Sequence, residues 1–344
     1  MKREASPPIR AWVTLLALLN VSVLFAGFFA PYAANEQNRD APFAPPSRLH
    51  FVDPAGRVHL RPYVYRIAGK AGSLDEYEED RSQPYPVRFL TRGARYTVAG
   101  ISADRHLFGV DEPARVFLFG TDQFGRDVFT RLMFGAQISL IAGVLGAGLA
   151  LTIGIVSGAL AGFYGGWTDD VVMRIAELFL ALPWLYLLLA VRSLLPLHID
   201  PARTFLLLVT VIGVVGWARP ARLIRGMVLS ARQRDHVLAA RGFGATDLYL
   251  LRRHVLPQTT GVILTQLAVL IPRYVLAEVT LSFFGLGVTE PVPSWGNMLA
   301  AVQRYDVMTS YWWMFLPGIA LTPVFLLYYA LADALHEHTA FLSP

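Results

Sequence analysis

Cysteine is absent from the 344-residue chain. That excludes a disulfide framework, thiolate chemistry and a cysteine-ligated zinc. Charge is scarce as well: 16% of residues are Asp, Glu, Lys or Arg, against about 25% in an ordinary soluble protein. Lysine is nearly missing, since among 30 Lys and Arg only Lys2 and Lys70 are lysine. A phosphate-binding loop needs the pattern G-x-x-x-x-G-K-[ST]. Lys70 follows Gly69, but Val64 stands where the first Gly belongs and Ala71 where Ser or Thr belongs. The chain therefore carries no P-loop ATPase of its own. No G-x-S-x-G elbow is present, and His336-Glu337-His338 lacks the one-face spacing of H-E-x-x-H. No catalytic residue and no metal-ligand set emerges. The net charge of +5 is spread without a basic soluble domain, which gives no case for nucleic-acid binding.

What is abundant is apolar sequence, 54% of the chain. A bilayer crossing needs roughly 20 apolar residues. Six runs qualify, at about 12–33, 138–163, 171–195 (with Pro183 inside), 204–223, 261–284 and 311–334. The first follows a head holding Lys2, Arg3 and Arg10 and is read as an uncleaved anchor, with a cleavable signal peptide as the alternative. Lys and Arg concentrate in cytoplasmic loops, so the basic head is placed inside. Alternation then puts 34–137 outside, 164–170 inside, 196–203 outside, 224–260 inside, 285–310 outside and the C-terminus inside. The stretch 219–253 holds eight arginines against Asp235 and Asp247 and falls on the inside, as the rule requires. Tyr311, Trp312 and Trp313 fit an interfacial aromatic belt.

The long outer segment reads as a small β-containing domain, because a structureless run of ~100 residues is unusual. Leu49–Val52 and Arg57–Leu60 flank the turn Asp53-Pro54-Ala55-Gly56 as a hairpin. Tyr63–Ile67 and Val87–Leu90 add strand-like pieces. The acidic run Asp75–Arg81 reads as a solvated loop. Gly120-Thr121-Asp122 is expected to form an Asx- or Ser/Thr-type turn capping a helix that begins near Phe124. That helix, Asp127–Phe134, would lie on the outer membrane surface ahead of the second span. Pro293-Ser294-Trp295-Gly296 is expected to start another interfacial helix, with Trp295 as an anchor. Charges within spans are costly and default to functional hypotheses. Arg174 and Glu177, three apart, share a helix face; they are read either as pathway lining or clamp, or as an interface pair. Arg273 and Glu278 in the fifth span carry the same two readings.

The most informative stretch is Arg234-Asp235-His236-Val237-Leu238-Ala239-Ala240-Arg241-Gly242-Phe243-Gly244-Ala245, continuing to His254-Val255-Leu256-Pro257. Small residues at Ala239 and Ala240 permit close approach by another protein, Gly244 can end a helix, and Thr246–Arg253 is again helical in composition. Pro257 is expected to mark the turn into the fifth span. The alternative is an ordinary basic connector.

These residues resemble the EAA loop of bacterial ABC importer permeases. Ala239, Ala240, Gly244, Leu256 and Pro257 fall at that motif's spacing, while Leu238 replaces its Glu and His254 its Ile. Further segments resemble dipeptide and oligopeptide permeases of the DppC/OppC type: Gly120–Asp127 with Arg131-Leu132 and Gly135-Ala136; Phe163–Gly166 with Asp169, Met173-Arg174 and Ala181-Leu182-Pro183; Glu278 with Leu281–Gly287; and Pro293–Leu299. The resemblance covers about 115–335 and the first span.

It implies an all-α polytopic protein with six transmembrane helices of the type I importer permease fold, plus the β-containing extracytoplasmic insert. The parts are then a cytoplasmic N-terminus with the first helix (1–33), the insert (34–137), a five-helix core (138–335) with its coupling loop at 224–260, and a cytoplasmic tail (336–344). The implied function is a non-catalytic permease subunit in a bacterial inner membrane, importing di- or oligopeptides. Another solute such as nickel or an opine-like compound, and a membrane-anchored sensor, remain as alternatives. The implied partners are a second homologous permease, two ABC ATPases that hold the ATP and Mg, an extracytoplasmic solute-binding protein, peptide cargo and membrane lipid. Arg234, Leu238, Ala239, Ala240, Arg241, Gly244, Leu256 and Pro257 would form the ATPase-coupling loop, with Ala239, Ala240 and Gly244 seated in an ATPase groove. Gly120, Thr121, Asp122, Arg126, Asp127 and Trp295 would form the outer rim.

Overall fold

The computed structural model describes residues 9–53, 56–69, 76–98, 100–194 and 200–342. Lys2 and Arg3, Pro54 and Ala55 of the expected turn, Lys70, Asp75, Leu195, residues 196–199 and the last two residues of the tail lie outside the described residues. The elements run in order α1 (Ile9–Leu24), α2 (Ala26–Phe29), β1 (His50–Val52), β2 (Val58–Gly69), β3 (Tyr77–Pro86), β4 (Arg88–Val98) and β5 (Ile101–Gly109). Helices follow: α3 (Val128–Tyr164), α4 (Gly166–Ala181), α5 (Trp184–Ser193), α6 (Pro201–Gly216), α7 (Ala218–Ala231), α8 (Asp235–Gly242), α9 (Asp247–Leu250), α10 (Thr260–Phe283), α11 (Trp295–Ala300), α12 (Tyr305–Ser310) and α13 (Leu316–Leu342).

The chain divides into two compact units. One comprises Met1–Leu16, Leu140–Leu281 and Thr322–Pro344; the other comprises Ala17–Ser139 and Ser282–Leu321.

In the first unit the helices pack closely because their contact faces carry almost no side chain. Gly154, Gly158 and Gly162 recur every fourth residue on α3, and α7 lies against all three. A Cβ on Gly158 would sit 2.4 Å from the Ala221 carbonyl oxygen. Small residues at helical spacing let backbones approach, which is how helices associate where burial from water contributes little. Two of the expected spans are bent. Pro183 cannot continue a helix and disfavours helical backbone at the residue before it, so α4 and the following helix meet at 89°. The fourth run bends by 42° between α6 and α7, and α7 carries on to Ala231, past the expected end near 223. Three helices are long and apolar enough to cross a membrane, or five if each bent pair is one span; α1, of 16 residues, is shorter. These counts hold among the described residues.

Two helix expectations are corrected. Asp127–Phe134 is not a separate surface helix: α3 runs unbroken for 37 residues from Val128, since nothing between Phe134 and Ile138 stops it. Pro257 does not make a turn either. The chain passes from α9 through a five-residue π segment and one 3-10 turn directly into α10. The 3-10 turn places Pro257 at its first turn, where a missing N–H costs nothing.

The second unit contains an antiparallel sheet in the order β1-β2-β3 and a β4-β5 ribbon. Asp53 accepts from the Arg57 amide at 2.8 Å beside the β1–β2 connection. The acidic run is strand, not loop: Glu78, Glu79 and Asp80 lie in β3 and pair with Ala68, Ile67 and Arg66. The reason is alternation. Glu79 turns inward to His50, 3.0 Å away, while its neighbours face solvent. Val64, Val87, Phe108 and Val116 form one apolar cluster here.

Candidate functional site

The segment 235–250 is built as two short helices joined by a left-handed glycine. Gly244 has φ +86°, and its amide donates to the Arg241 carbonyl at 3.0 Å, while the Ala245 amide donates to Ala240 at 3.1 Å. Together these bonds make a Schellman ending. A Cβ at Gly244 would meet nothing within 4 Å, so backbone conformation, not crowding, requires glycine there.

The two helices present opposite faces. Val237, Leu250, Leu251 and Val255 are buried against Phe163, Ile224 and Val228, and Ala240, Ala245 and Leu256 pack on the same cluster. Outward stand Leu238, Ala239, Leu248, Tyr249 and, at 93% exposure, Phe243. The two alanines of the motif therefore differ: Ala239 faces out, and Ala240 anchors the helix inward. In the free chain, then, Ala239 is the exposed one of the two, and Ala240 is partly buried against the cluster. Arg234 provides the extended backbone ahead of α8. Arg241 lies 5.5 Å over the Phe163 ring and 3.3 Å from Asp247, and Pro257 is exposed.

Beneath this surface, Asp169 of α4 accepts a two-pronged ion pair from Arg225 of α7, and Arg232 donates to the Phe163 carbonyl at 2.8 Å. The charges tie α3, α4 and α7 together. Of the intramembrane candidates, Arg174 and Glu177 form an exposed pair at 3.4 Å. Glu278 is fully buried in α10. Arg273 faces a cavity of about 270 Å³ at the α4–α5 break, where its guanidinium lies 5.4 Å over the Trp184 ring.

The second unit holds a buried knot of charge. Asp122 accepts from the Phe124 amide at 2.8 Å and the Arg126 amide at 3.1 Å, the expected Asx turn. The helix it precedes starts at Val128, not near Phe124, because a bridge between Thr121 and Asp127 closes the turn first. Arg126 donates Nε to Asp122 at 2.7 Å and grips Glu290 at 2.7 and 3.1 Å. Arg131 adds a bond to Glu290 at 2.8 Å. Arg126 is held above the ordinary guanidinium value: burial pulls it down, and Glu290 and Asp122 more than offset that. Thr121 is buried, donating to the Ala41 carbonyl at 2.6 Å, and the Gly120 carbonyl accepts from the Val128 amide.

Trp295 is not an interfacial anchor. It is 3% exposed, and its indole donates to the Leu132 carbonyl at 3.0 Å. Ser294 and Asn297 cap its helix reciprocally. Trp313 is likewise buried, donating to Thr121, so only Trp312 of that pair is exposed.

Asp127 caps α3 through the Thr130 amide at 2.8 Å. Its Oδ1 is buried with no hydrogen bond among the described residues. Burial pushes its carboxyl up to about 7, against the lowering pull of the Thr130 and Phe129 amides. An acid whose folded-state pKa is raised contributes stability that is full below its unfolded value and lost as pH rises through about 7. Asp127→Asn keeps the cap and removes the charge. Its melting temperature should exceed the wild type at pH 8.5 and converge with it near pH 4.5. Equal differences at both pH values would contradict the buried charge.

With this geometry in place, comparison with known proteins gives a consistent picture. The family described as "Binding-protein-dependent transport system inner membrane component" matches residues 131–340. The dipeptide transport system permease DppC of Bacillus subtilis is 35% identical over 65% of this chain and 68% of its own length. The oligopeptide permease OppC of the same organism is 36% identical over 62% and 68%. A putative peptide permease of Brucella suis is 37% identical over 64% and 71%. An inward-facing MetNI methionine ABC transporter superposes at a TM-score of 0.47 and 16% identity, covering 62% of this chain and 97% of that one; that likeness is too weak to add to the family match.

Proposed function

The chain belongs to the family of binding-protein-dependent transport system inner membrane components, and on that premise we propose that it is the permease subunit of an ATP-driven importer whose cargo is short peptides. The observation that carries the coupling role is the exposed apolar ridge of α8–α9 seated on a packed helical base. A ridge of this kind suits the groove of an ATPase, and the sequence carries no P-loop pattern of its own. Leu238, Ala239, Phe243, Leu248 and Tyr249 are the contact residues. Ala240, Gly244 and Leu256 hold the ridge in shape, and Arg234 and Arg241 frame it with positive charge.

ATP binding would draw two ATPases together, and the docked ridges would carry that motion into the spans as a rigid-body switch. The Asp169–Arg225 pair and the Arg232 contact make α3, α4 and α7 stiff enough to transmit it. The membrane part is six spans: α1 extended by α2, α3, the bent α4–α5 pair, the bent α6–α7 pair, α10 and α13. Both termini and α8–α9 face the cytoplasm, and the five strands and the Asp122–Glu290 knot face outward, where a solute-binding protein delivers cargo. A second homologous permease completes the pathway, which Arg273 and Glu278 help to line or clamp. Bulk lipid surrounds the spans, and this chain performs no catalysis.

The test is uptake into proteoliposomes holding this chain, the second permease, both ATPases and the binding protein. A labelled tripeptide should accumulate only with ATP and binding protein. Accumulation of a nickel complex or an opine in place of every peptide tried would replace the cargo assignment.

A further inference from the structure

Two arginines in the first unit face one cavity with no carboxylate paired to either among the described residues. Arg219, the second residue of α7, and Arg273, in the middle of α10, both line the 270 Å³ space at the α4–α5 break. Neither guanidinium makes an ion pair or donates a hydrogen bond among the described residues, and the two charges act on each other. Arg219 is exposed, while Arg273 is half-buried.

The surroundings prepare Arg273 for an anion. The Trp184 ring lies 5.4 Å from its guanidinium carbon. Such a cation–π contact steadies the guanidinium without using its N–H donors, which a two-oxygen partner can still take. Tyr274 donates to the Gly216 carbonyl at 3.2 Å, which fixes the end of α6 next to the start of α7 that carries Arg219. The cavity is slightly smaller than the roughly 300–1,000 Å³ of pockets for drug-sized ligands. It suits the end of a peptide better than a whole one. A charge kept within a span is costly unless a partner arrives. Among the described residues no carboxylate supplies that partner.

We propose that Arg219 and Arg273 form a carboxylate subsite that receives the C-terminal carboxylate of the peptide as it crosses. This rests on the peptide-permease reading above and names the part of the cargo the pathway recognises.

The test uses the whole importer in proteoliposomes, with trialanine and trialanine amide each supplied at a concentration that saturates the binding protein. Wild type should import the free acid at least about tenfold faster, the scale of one charge-assisted hydrogen bond. Arg273→Gln should bring the two rates within about twofold of each other, slowing the free acid more than the amide. Arg273→Lys, which keeps the charge but not the fork, should fall between the two, and Arg219→Gln should reduce the preference in the same direction.

Three results would overturn the subsite while leaving the peptide-permease reading intact. These are a wild type that imports both peptides equally, an Arg273→Gln complex that loses both equally, and an Arg273→Gln complex that fails to assemble. The last would mean that the arginines pair with the second permease. A wild type that imports neither peptide would instead overturn both readings.

Discussion

Phe243→Asp should abolish stable capture of the ATPases without lowering the melting temperature of the chain by more than a degree or two. The side chain is 93% exposed and makes no contribution to the core beneath it, so its removal costs the free chain almost nothing. In a docked complex the same ring would be buried. Full burial of a Phe is worth about 1.5–3 kcal/mol, and forcing a carboxylate into the apolar contact adds a desolvation cost. Together they predict a loss of at least about 30-fold in ATPase affinity. Gly244→Val separates shape from contact. At φ +86° a β-branched residue is strained, the Schellman ending is lost, and Phe243 and Leu248 no longer share one ridge. Uptake should fall in Gly244→Val even though no contact residue has changed. Gly244→Asn, which tolerates this backbone, should retain most of it.

Arg126→Met is the second large effect, and it acts on stability. Arg126 and Asp122 have side chains 7% exposed, whereas Glu290 is 45% exposed. Removing one partner of a buried pair typically costs about 3–5 kcal/mol. The accessible Glu290 recovers part of this by turning to water, which leaves roughly 2–3 kcal/mol. The melting temperature should drop by roughly 3–4 °C, read by thermal unfolding in detergent. Arg126→Lys should fall between, because a single ammonium cannot reach Asp122 and both Glu290 oxygens as the guanidinium does. An unchanged melting temperature in Arg126→Met would show that the knot contributes no net stability.

What could be read from the chain follows the range of the interaction. The end of α8 at Gly244 and the Asx turn at Asp122 are settled within four or five residues, and both were visible as local patterns. The apolar runs located the helices because length and composition decide them. The Arg126–Glu290 pair was not visible, since 164 residues separate its members and Glu290 lies in a loop with no pattern of its own. Asp169 belongs to a family-like segment and Arg225 to the arginine-rich stretch, but with 56 residues between them nothing in the sequence pairs them. The inward turn of Ala240 depends on which helical face meets Phe163 and Val228, a tertiary fact that a motif of identical alanines conceals. Residues 127–134 form no separate surface helix, because polarity alone does not end a helix and no backbone feature interrupts α3. Trp295 and Trp313 looked like interface anchors by residue type, but each has a buried carbonyl waiting for its indole N–H.

The central claim is that this chain is moved by ATPases that grip the α8–α9 ridge. The direct measurement is co-isolation of the two ATPases with the tagged, assembled permease pair, comparing the intact chain with Phe243→Asp. Stoichiometric ATPase with the intact chain and its loss from the variant, at equal yield of folded permease, is the predicted result. Equal recovery of ATPase with both, or none with the intact chain, would contradict it.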